Sequence, residues 1–206
     1  MSFKVLGRVT SINVRKVLWL LSELDIGFER EDWGLPLRDP KAAEFLKLNP
    51  NAQVPVLIDE AFVLWESNAI LTYLAHKHGA FVPADPKARA LVDQWLYWQL
   101  GELNPAWGYA VNALLRRNPA YTDEQRVAES VARWTRMLGI LDGQLSKHPY
   151  VAGESFTIAD IAIGLSSHRW FSTPVPGRTS FAAVEDHYSR MQARAAGAPW
   201  LTVETP

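Results

Sequence analysis

The pattern of apolar and polar positions changes near residue 80 of the 206-residue chain. Before that point, short apolar runs alternate with segments of helical periodicity, and Gly, Pro and Asn separate them. The pattern predicts strands at 3–6, 28–32, 54–58 and 62–64, and helices at 14–24, 42–48 and 66–79. This βαβαββα order predicts an α/β domain with a mixed four-stranded sheet.

The remainder of the chain has a helical pattern. Prolines at positions 83 and 86 mark a linker, and strand signals nearly vanish after it. Helices are predicted at 87–103, 122–145, 158–167 and 181–195. A kink or break is expected at Asn104-Pro105, because an interior proline lacks an amide donor and clashes with the preceding turn. We therefore expect an α/β domain over 1–79, a linker over 80–86 and an all-α helical bundle over 87–206.

Composition narrows the classes of function. The formal net charge is −1, from 21 Lys plus Arg and 22 Asp plus Glu, and it provides no field that favours nucleic acid or an anionic membrane. Because the chain has no Cys, it supplies no disulfide, thiolate ligand or cysteine nucleophile. Its five His show no metal-ligand spacing, and no metal is expected. Without a leader-like segment or an apolar run near the ~20 residues that span a bilayer, the predicted location is the cytoplasm.

Val54-Pro55 lies where the third strand is predicted to begin. An ordinary trans proline at a strand start is one interpretation. In the βαβαββα order, however, a cis proline before the hairpin would leave the N–H and C=O of Val54 unpaired. An extended peptide can then pair with them as an added strand. The pair therefore predicts a site for a peptide backbone.

Two polar segments are predicted to lie beside Val54. Glu66-Ser67 opens a helix, and Ser67 is predicted as its N-cap. The free amides of that helix can hold a carboxylate, while Glu66 can take an ammonium group. Thr10, Ser11 and Asn13 lie between the first strand and the first helix, where they act as caps or favour an anion. A thiol of pKa near 8.5 needs a drop of about one to two units to be mostly thiolate at neutral pH, and a hydroxyl plus a helix N-terminus can supply it.

Four segments resemble the N-terminal domain of cytosolic glutathione transferases. They are S-I-N-V-R-K-V at 11–17, F-L-K-L-N-P-N at 45–51, Q-V-P-V-L at 53–57 and W-E-S-N-A-I at 65–70. The resemblance covers that whole domain, and it implies a thioredoxin-like fold, glutathione as co-substrate and a homodimer. It also implies that the backbone of Val54, beside Pro55, pairs with the cysteinyl residue of glutathione. Glu66 and Ser67 are then expected to hold the γ-glutamyl end.

The same resemblance implies that Ser11 stabilises the thiolate, as in the serine-type theta, delta and nu-like classes. Asn13 lies where nu-like members have a supporting Asn. From the residues alone, Thr10 and Asn13 remain alternatives to Ser11 for the contact with sulfur.

The binding sites for the glycyl carboxylate and for the second substrate are supported by fewer residues. Ala52 stands where many members of the family have Gly or a glutathione-binding His, so Lys41 and Gln53 are the candidates for the glycyl carboxylate. The resemblance places the second substrate between the sheet edge and the helices, where Trp107 and Val111 are expected to form an apolar wall.

Phe156 to Asp160 contains a T-x-x-D pattern before an apolar helix. This spacing is typical of a capping box, in which the Asp side chain returns to the backbone of the Thr. We therefore predict that Asp160 is structural rather than catalytic.

The predicted function is conjugation of the glutathione thiolate to a hydrophobic electrophile. One alternative is a glutathione-binding ligand carrier or regulatory protein without significant transferase activity. A glutathione-dependent peroxidase or haloacid-type dehalogenase is a further alternative among enzymes. The shape of the apolar pocket decides among the enzymes, and the sequence does not reveal it.

Overall fold

A computed structural model describes residues 3–202 of the chain. The first part has the predicted order of elements. They are β1 (Phe3–Leu6), α1 (Ile12–Glu23), β2 (Phe28–Glu31), α2 (Ala43–Leu46), β3 (Val56–Asp59), β4 (Phe62–Trp65) and α3 (Ser67–His78). Each lies within two or three residues of its prediction, because the alternation between strand and helix periods is strong here.

The four strands form one mixed sheet in the order β2-β1-β3-β4. β1 pairs with β2 in parallel, whereas β1 with β3 and β3 with β4 are antiparallel. The mixed four-stranded sheet predicted from the sequence is thus confirmed.

The sheet is covered on both faces. Val5 and Leu57 belong to the large core formed with α1 and α3. Leu6 and Val56, which point the other way, pack with Phe45 of α2 in a second cluster. Alternate residues of one strand therefore bury against different helices.

The second part of the chain is helical. Its helices are α4 (Pro86–Trp98), α5 (Asn104–Ala110), α6 (Glu124–Leu145), α7 (Ile158–Ser172) and α8 (Ala182–Gln192), with a 3₁₀ turn at Ala198–Leu201. The fold class, a thioredoxin-like sheet followed by a helical bundle, is confirmed. Among residues 3–202, no helix is both long enough and apolar enough to cross a membrane.

A kink or break was expected at Asn104-Pro105, and the break is wrong. Two π-helical turns, Gln99–Leu103 and Val111–Leu115, flank α5, so the chain stays helical from Pro86 to Leu115. Pro105 lies in the first turn of α5, immediately after the first π-helical turn. A proline is tolerated there because the hydrogen-bond register has just changed and its missing amide interrupts no regular α-helical run.

The capping box at the start of α7 is confirmed. Asp160 Oδ2 accepts a hydrogen bond from the Thr157 amide at 2.9 Å, and Ala159 N donates to Thr157 Oγ1. Asp160 Oδ1 also accepts from the Val151 amide at 2.8 Å and lies 3.0 Å from Nε2 of the buried His187. These contacts make Asp160 a structural anchor for α7, as predicted.

The two parts share one continuous core. α1 packs on α3 and on α7, so it connects the sheet with the helical bundle. The indole of Trp19 lies so close to Gly164 and Gly197 that a Cβ at Gly197 would come within 2.5 Å of Trp19 Cζ2.

Candidate functional site

Three strand ends meet at one edge of the sheet. Leu6, the last residue of β1, pairs with Val56, the first residue of β3, and Val56 pairs with Trp65, the last residue of β4. The segments 7–13, 54–55 and 66–67 continue from these ends and are therefore neighbours. We call these residues the sheet-edge site.

The loop after β1 packs closely against Val54. A Cβ added at Gly7 would lie 2.4 Å from Val14 Cγ2 and 3.2 Å from Val54 Cβ, so only a glycine fits without displacement. Ser11 occupies the N-cap position of α1, and its amide donates to Arg8 O at 3.1 Å. Its half-buried side chain makes no capping hydrogen bond. The hydroxyl is therefore available to a ligand at the N-terminus of α1.

The Val54–Pro55 peptide bond is cis. Val54 is half-buried and precedes β3, and within residues 3–202 its N–H and C=O take part in no backbone or side-chain hydrogen bond. An unpaired extended residue at a sheet edge can pair with a peptide backbone.

The helix after β4 begins differently from the prediction. Glu66, not Ser67, is the N-cap of α3, so the prediction that Ser67 caps the helix is wrong. Only one residue separates β4 from α3, and Glu66 makes the reversal with φ 74° and ψ 108°. A non-glycine residue in this region typically costs about 1–3 kcal/mol and is often found at ligand sites. The Glu66 side chain is exposed beside the first amides of α3.

The Ser67 hydroxyl joins the loop after β1 to a buried lysine. It donates to Asn13 Oδ1 at 3.3 Å and lies 3.4 Å from the donor Lys16 Nζ. Lys16 is fully buried, and its ammonium also donates to Asn68 Oδ1 at 2.9 Å and to Gln99 Oε1 at 3.0 Å. We call these residues the Lys16 network. Burial lowers the pKa of Lys16 to about 7, while the Glu66 carboxylate acts to raise it.

The Lys16 network was missed in the sequence. The available signal was a pair of cations, Arg15-Lys16, inside the apolar run of α1 from Val14 to Leu21. A cation in such a run either extends to the surface or donates hydrogen bonds to oxygens of other helices and strands. The acceptors of Lys16 lie on α3 and just after α4, and only the folded structure shows them.

The two candidates for the glycyl carboxylate are both exposed. Lys41 donates its amide to Asp39 Oδ1, and its side chain makes no hydrogen bond within the described residues. Gln53 is held through its C=O, which accepts from Asn49 Nδ2 at 2.8 Å. Both remain predictions for this role.

The proposed apolar wall lies in the helical bundle. Trp107 is 9% exposed, and Val111, one turn later, is fully buried. Since Val111 has no exposed surface, it can support the wall but does not face an open pocket. The Arg169 guanidinium of α7 lies over the Trp107 ring, 4.8 Å from its centroid. Arg169 was also missed, because the apolar periodicity that predicted α7 ends at residue 167.

No cluster of three or more His, Asp or Glu side chains in the described part of the chain is placed to hold a metal ion. The sheet-edge site instead offers an unpaired backbone, a free hydroxyl and two helix N-termini. These groups suit an extended anionic peptide.

Comparisons with known proteins identify the family of the chain. The family model described as the N-terminal domain of glutathione S-transferase matches residues 1–76, and the model for its C-terminal domain matches residues 103–195. Glutathione S-transferase GstB of Escherichia coli is 35% identical over 161 residues, which cover 76% of this chain and 77% of that protein. Disulfide-bond oxidoreductase YfcG of the same organism is 30% identical over 193 residues, 89% of this chain and 87% of that protein.

A solved structure is similar over the full length. The theta class glutathione S-transferase from Xanthomonas axonopodis pv. citri, with glutathione bound, has a TM-score of 0.94 at 30% identity and covers 100% of this chain and 99% of its own. The fold and site thus define an enzyme class built from a thioredoxin-like sheet and a helical bundle. The chain belongs to the glutathione S-transferase family, whose co-substrate is glutathione.

Proposed function

We propose that the chain conjugates the glutathione thiolate to a hydrophobic electrophile at the sheet-edge site. The position and the free hydroxyl of Ser11 are the observation that supports this proposal. Its hydroxyl makes no capping bond, and it lies at the N-terminus of α1, at the same sheet edge as the unpaired backbone of Val54. A hydroxyl donor and the positive end of a helix both favour a thiolate over a thiol.

Glutathione would lie along this edge. The N–H and C=O of Val54, beside cis Pro55, pair with its cysteinyl residue. Ser67 and the first amides of α3 take the γ-glutamyl carboxylate, and Glu66 takes the ammonium group. Lys41 or Gln53 takes the glycyl carboxylate.

The chemistry follows from this placement. Ser11 Oγ donates to the sulfur, and the thiol proton is released to solvent. The thiolate then attacks the electrophile, so a carbon–sulfur bond forms as the leaving group departs with its electron pair. Asn13, which accepts from the Ser67 hydroxyl, connects the two ends of the site. Trp107 and Val111 form and support the apolar wall.

A homodimer is the second element of the proposal. β4, α3 and α4 border an apolar groove of about 560 Å³ that includes Leu64, Leu96 and Leu100. Phe62 at 46%, Tyr97 at 70% and Leu100 at 47% are unusually exposed for large apolar side chains. A second copy of the chain, related by a two-fold axis, would cover them.

Sedimentation tests the dimer. We expect Tyr97→Asp to convert the protein to a monomer, because it places a charge in the apolar groove. Leu37→Asp is the matched control, since Leu37 is 55% exposed elsewhere on the surface. A wild-type monomer, or a Tyr97→Asp dimer, would contradict the proposed interface.

We also propose the domain division predicted from the sequence, with a first domain over 1–79, a linker over 80–86 and a second domain over 87–206. Limited proteolysis tests it.

A cytoplasmic location stays a prediction, and cell fractionation tests it.

Turnover tests the transferase proposal. Wild type and Ser11→Ala are assayed with glutathione and a panel of electrophiles that includes chlorodinitrobenzene, a neutral haloamide and a hydroperoxide. Product with the halides and its loss in Ser11→Ala support conjugation. Tight glutathione binding without any product would instead indicate the ligand-carrier alternative, and turnover of the hydroperoxide alone would indicate a peroxidase.

A further inference from the structure

The charge of Lys16 has hydrogen-bond acceptors, but these acceptors do not neutralise it. An ammonium group carries three N–H donors, and this one donates to Ser67 Oγ, Asn68 Oδ1 and Gln99 Oε1. All three acceptors are uncharged. Because Lys16 is fully buried, solvent and salt screen its charge very little. A carboxylate placed near the ammonium would therefore be strongly attracted to it.

The rest of the Lys16 network holds the ammonium in place. Gln99, in the first π-helical turn, donates to Asn104 Oδ1 at 2.9 Å and to Ser166 Oγ on α7 at 3.0 Å. Asn68 of α3 donates to a backbone oxygen in the last turn of α4 at 2.9 Å. The acceptors of Lys16 are thus tied to four helices. The fold therefore sets the position of the cation before a ligand binds.

The Ser67 hydroxyl lies between this cation and the position proposed for the γ-glutamyl carboxylate of glutathione. Its oxygen is 3.4 Å from Lys16 Nζ, and a hydrogen bond from a hydroxyl to a carboxylate spans about 2.5–2.7 Å. The carboxylate would then lie within about 6 Å of the ammonium, a distance at which opposite charges favour each other's ionised forms.

The Ser67 hydroxyl can be redirected to a ligand at little cost. It now donates to Asn13 Oδ1 at 3.3 Å, whereas O–H···O hydrogen bonds are usually about 2.7–2.8 Å long. A carboxylate at the N-terminus of α3 would offer a shorter and charged acceptor. Lys16 would keep its own bond to the Ser67 oxygen, so the cation, the hydroxyl and the carboxylate would form one chain.

Few other charges compete for Lys16. Glu66 is the charged group of the described chain that acts on it, and the Glu66 side chain is exposed. Burial lowers the pKa of Lys16 to about 7, so about half of the ligand-free protein carries the proton at this residue at neutral pH. A ligand carboxylate would favour the protonated form.

We propose that Lys16 is a positioning residue for the γ-glutamyl end of glutathione, attracting its α-carboxylate through the Ser67 hydroxyl and taking up a proton when that carboxylate binds. This inference rests on the proposed function, which places the carboxylate at Ser67, and it adds a dependence of binding on pH. The proton comes from solvent, and no bond of glutathione breaks. Affinity for glutathione therefore falls as the pH rises above about 7, because the bound state holds more protons.

Proton uptake in the wild-type protein tests the proposal. Titration calorimetry of S-methylglutathione in buffers of different ionisation enthalpy counts the protons, and this thioether has no thiol proton to release. γ-Aminobutyryl-S-methylcysteinylglycine is the matched ligand, because it lacks only the α-carboxylate and keeps the ammonium group. At about pH 7.5 we expect S-methylglutathione to take up about half a proton more than the matched ligand.

The variant Lys16→Met locates the effect. It should show no difference in proton uptake between the two ligands. It should bind S-methylglutathione about tenfold more weakly than wild type at about pH 6 and almost as tightly at about pH 8.5, because the charge of Lys16 contributes only where the residue is protonated. Unchanged binding of the matched ligand shows that the site remains folded. Arg136→Met, which removes an exposed arginine of α6, is the control and behaves as wild type.

Two results would overturn the proposal. One is equal proton uptake with both ligands in wild type, since the carboxylate would then not act on Lys16. The other is an equal loss of affinity for both ligands in Lys16→Met, because the residue would then only maintain the fold.

The electrophile assays separate this proposal from the proposed function. Product formation together with equal proton uptake for the two ligands refutes the role of Lys16 and leaves the transferase intact. Greater proton uptake with S-methylglutathione, but no product with any electrophile, supports the role of Lys16 and refutes the transferase.

Discussion

Two buried cations show how differently the two sides of the site are built. Lys16 of α1 is fully buried and has oxygen acceptors on Ser67, Asn68 and Gln99. Arg169 of α7 is as deeply buried, yet two of its nitrogens have no acceptor in the described chain. Residues 3–202 thus complete the polar contacts of the first cation and leave those of the second incomplete.

The difference indicates different roles. A satisfied buried network fixes its members and stabilises the fold, so the Lys16 network holds α1, α3 and the turn after α4 in one arrangement. An unsatisfied buried cation destabilises the free protein, and a ligand can recover that energy. The Lys16 side of the site is therefore preformed, whereas residues 3–202 leave two nitrogens of Arg169 without an acceptor.

The same substitution in the two cations gives the largest expected contrast. Lys16→Met leaves Asn68 Oδ1 without its donor and should lower the free energy of unfolding by about 1–3 kcal/mol. Arg169→Met removes donors without partners and should raise it by about 1 kcal/mol. Denaturant unfolding of the ligand-free proteins measures both, and Arg136→Met is expected to stay within about 0.5 kcal/mol of wild type. Changes of the same sign in both variants would contradict the comparison.

Close packing of the preformed side gives the next largest effect. Gly7→Ala places a methyl group 2.4 Å from Val14 Cγ2 and 3.2 Å from Val54 Cβ, so Val54 must move. We expect a loss of about 1–3 kcal/mol in stability and a raised KM for glutathione. The matched control is Gly143→Ala on α6, which meets nothing within 4 Å. An unchanged KM in Gly7→Ala would show that Val54 does not position the tripeptide.

The pH dependence of stability gives the smallest expected effect for each pH unit. The pKa of Lys16 is about 7 in the folded protein against its ordinary 10.5, so above pH 7 the unfolded chain holds more protons at this residue. The free energy of unfolding should therefore rise with pH from about 7 to 10.5, by at most about 1.4 kcal/mol per unit. From about pH 9 upward Arg169, with a pKa of about 9, contributes as well, so Lys16 acts alone between pH 7 and 9.

The variant Lys16→Met isolates the contribution of Lys16 to the pH dependence of stability. The variant should lose the rise between pH 7 and 9 that wild type shows in denaturant unfolding. Equal slopes in the two proteins would mean that Lys16 keeps its proton throughout, and that its acceptors hold it as a permanent cation.

The sequence was sufficient to predict the features that depend on a local pattern of residues. The order of β1 to α3 follows from a change of period between strands and helices, and the Thr157 to Asp160 spacing predicts its capping box. The Val54, Ser11 and Glu66 segments are each short, but the sheet order brings them to one edge.

What the sequence did not reveal depends on packing at a distance. The π-helical turn before Pro105 and the position of Glu66 as N-cap reflect how short connections fit between elements that are already fixed. Lys16 and Arg169 are two charged residues on helices. Nothing local shows that one meets three oxygens, whereas two nitrogens of the other have no acceptor among residues 3–202.

The pKa of the glutathione thiol in the binary complex tests the central claim most directly. Ultraviolet absorbance of the thiolate, titrated in wild type, Thr10→Val and Ser11→Ala, measures it without an electrophile. We predict a pKa about one to two units below the ordinary 8.5 in wild type and Thr10→Val, and a return to within a few tenths of a unit of that value in Ser11→Ala. A thiol pKa that is equally low in Ser11→Ala, or not lowered in wild type, would contradict the account.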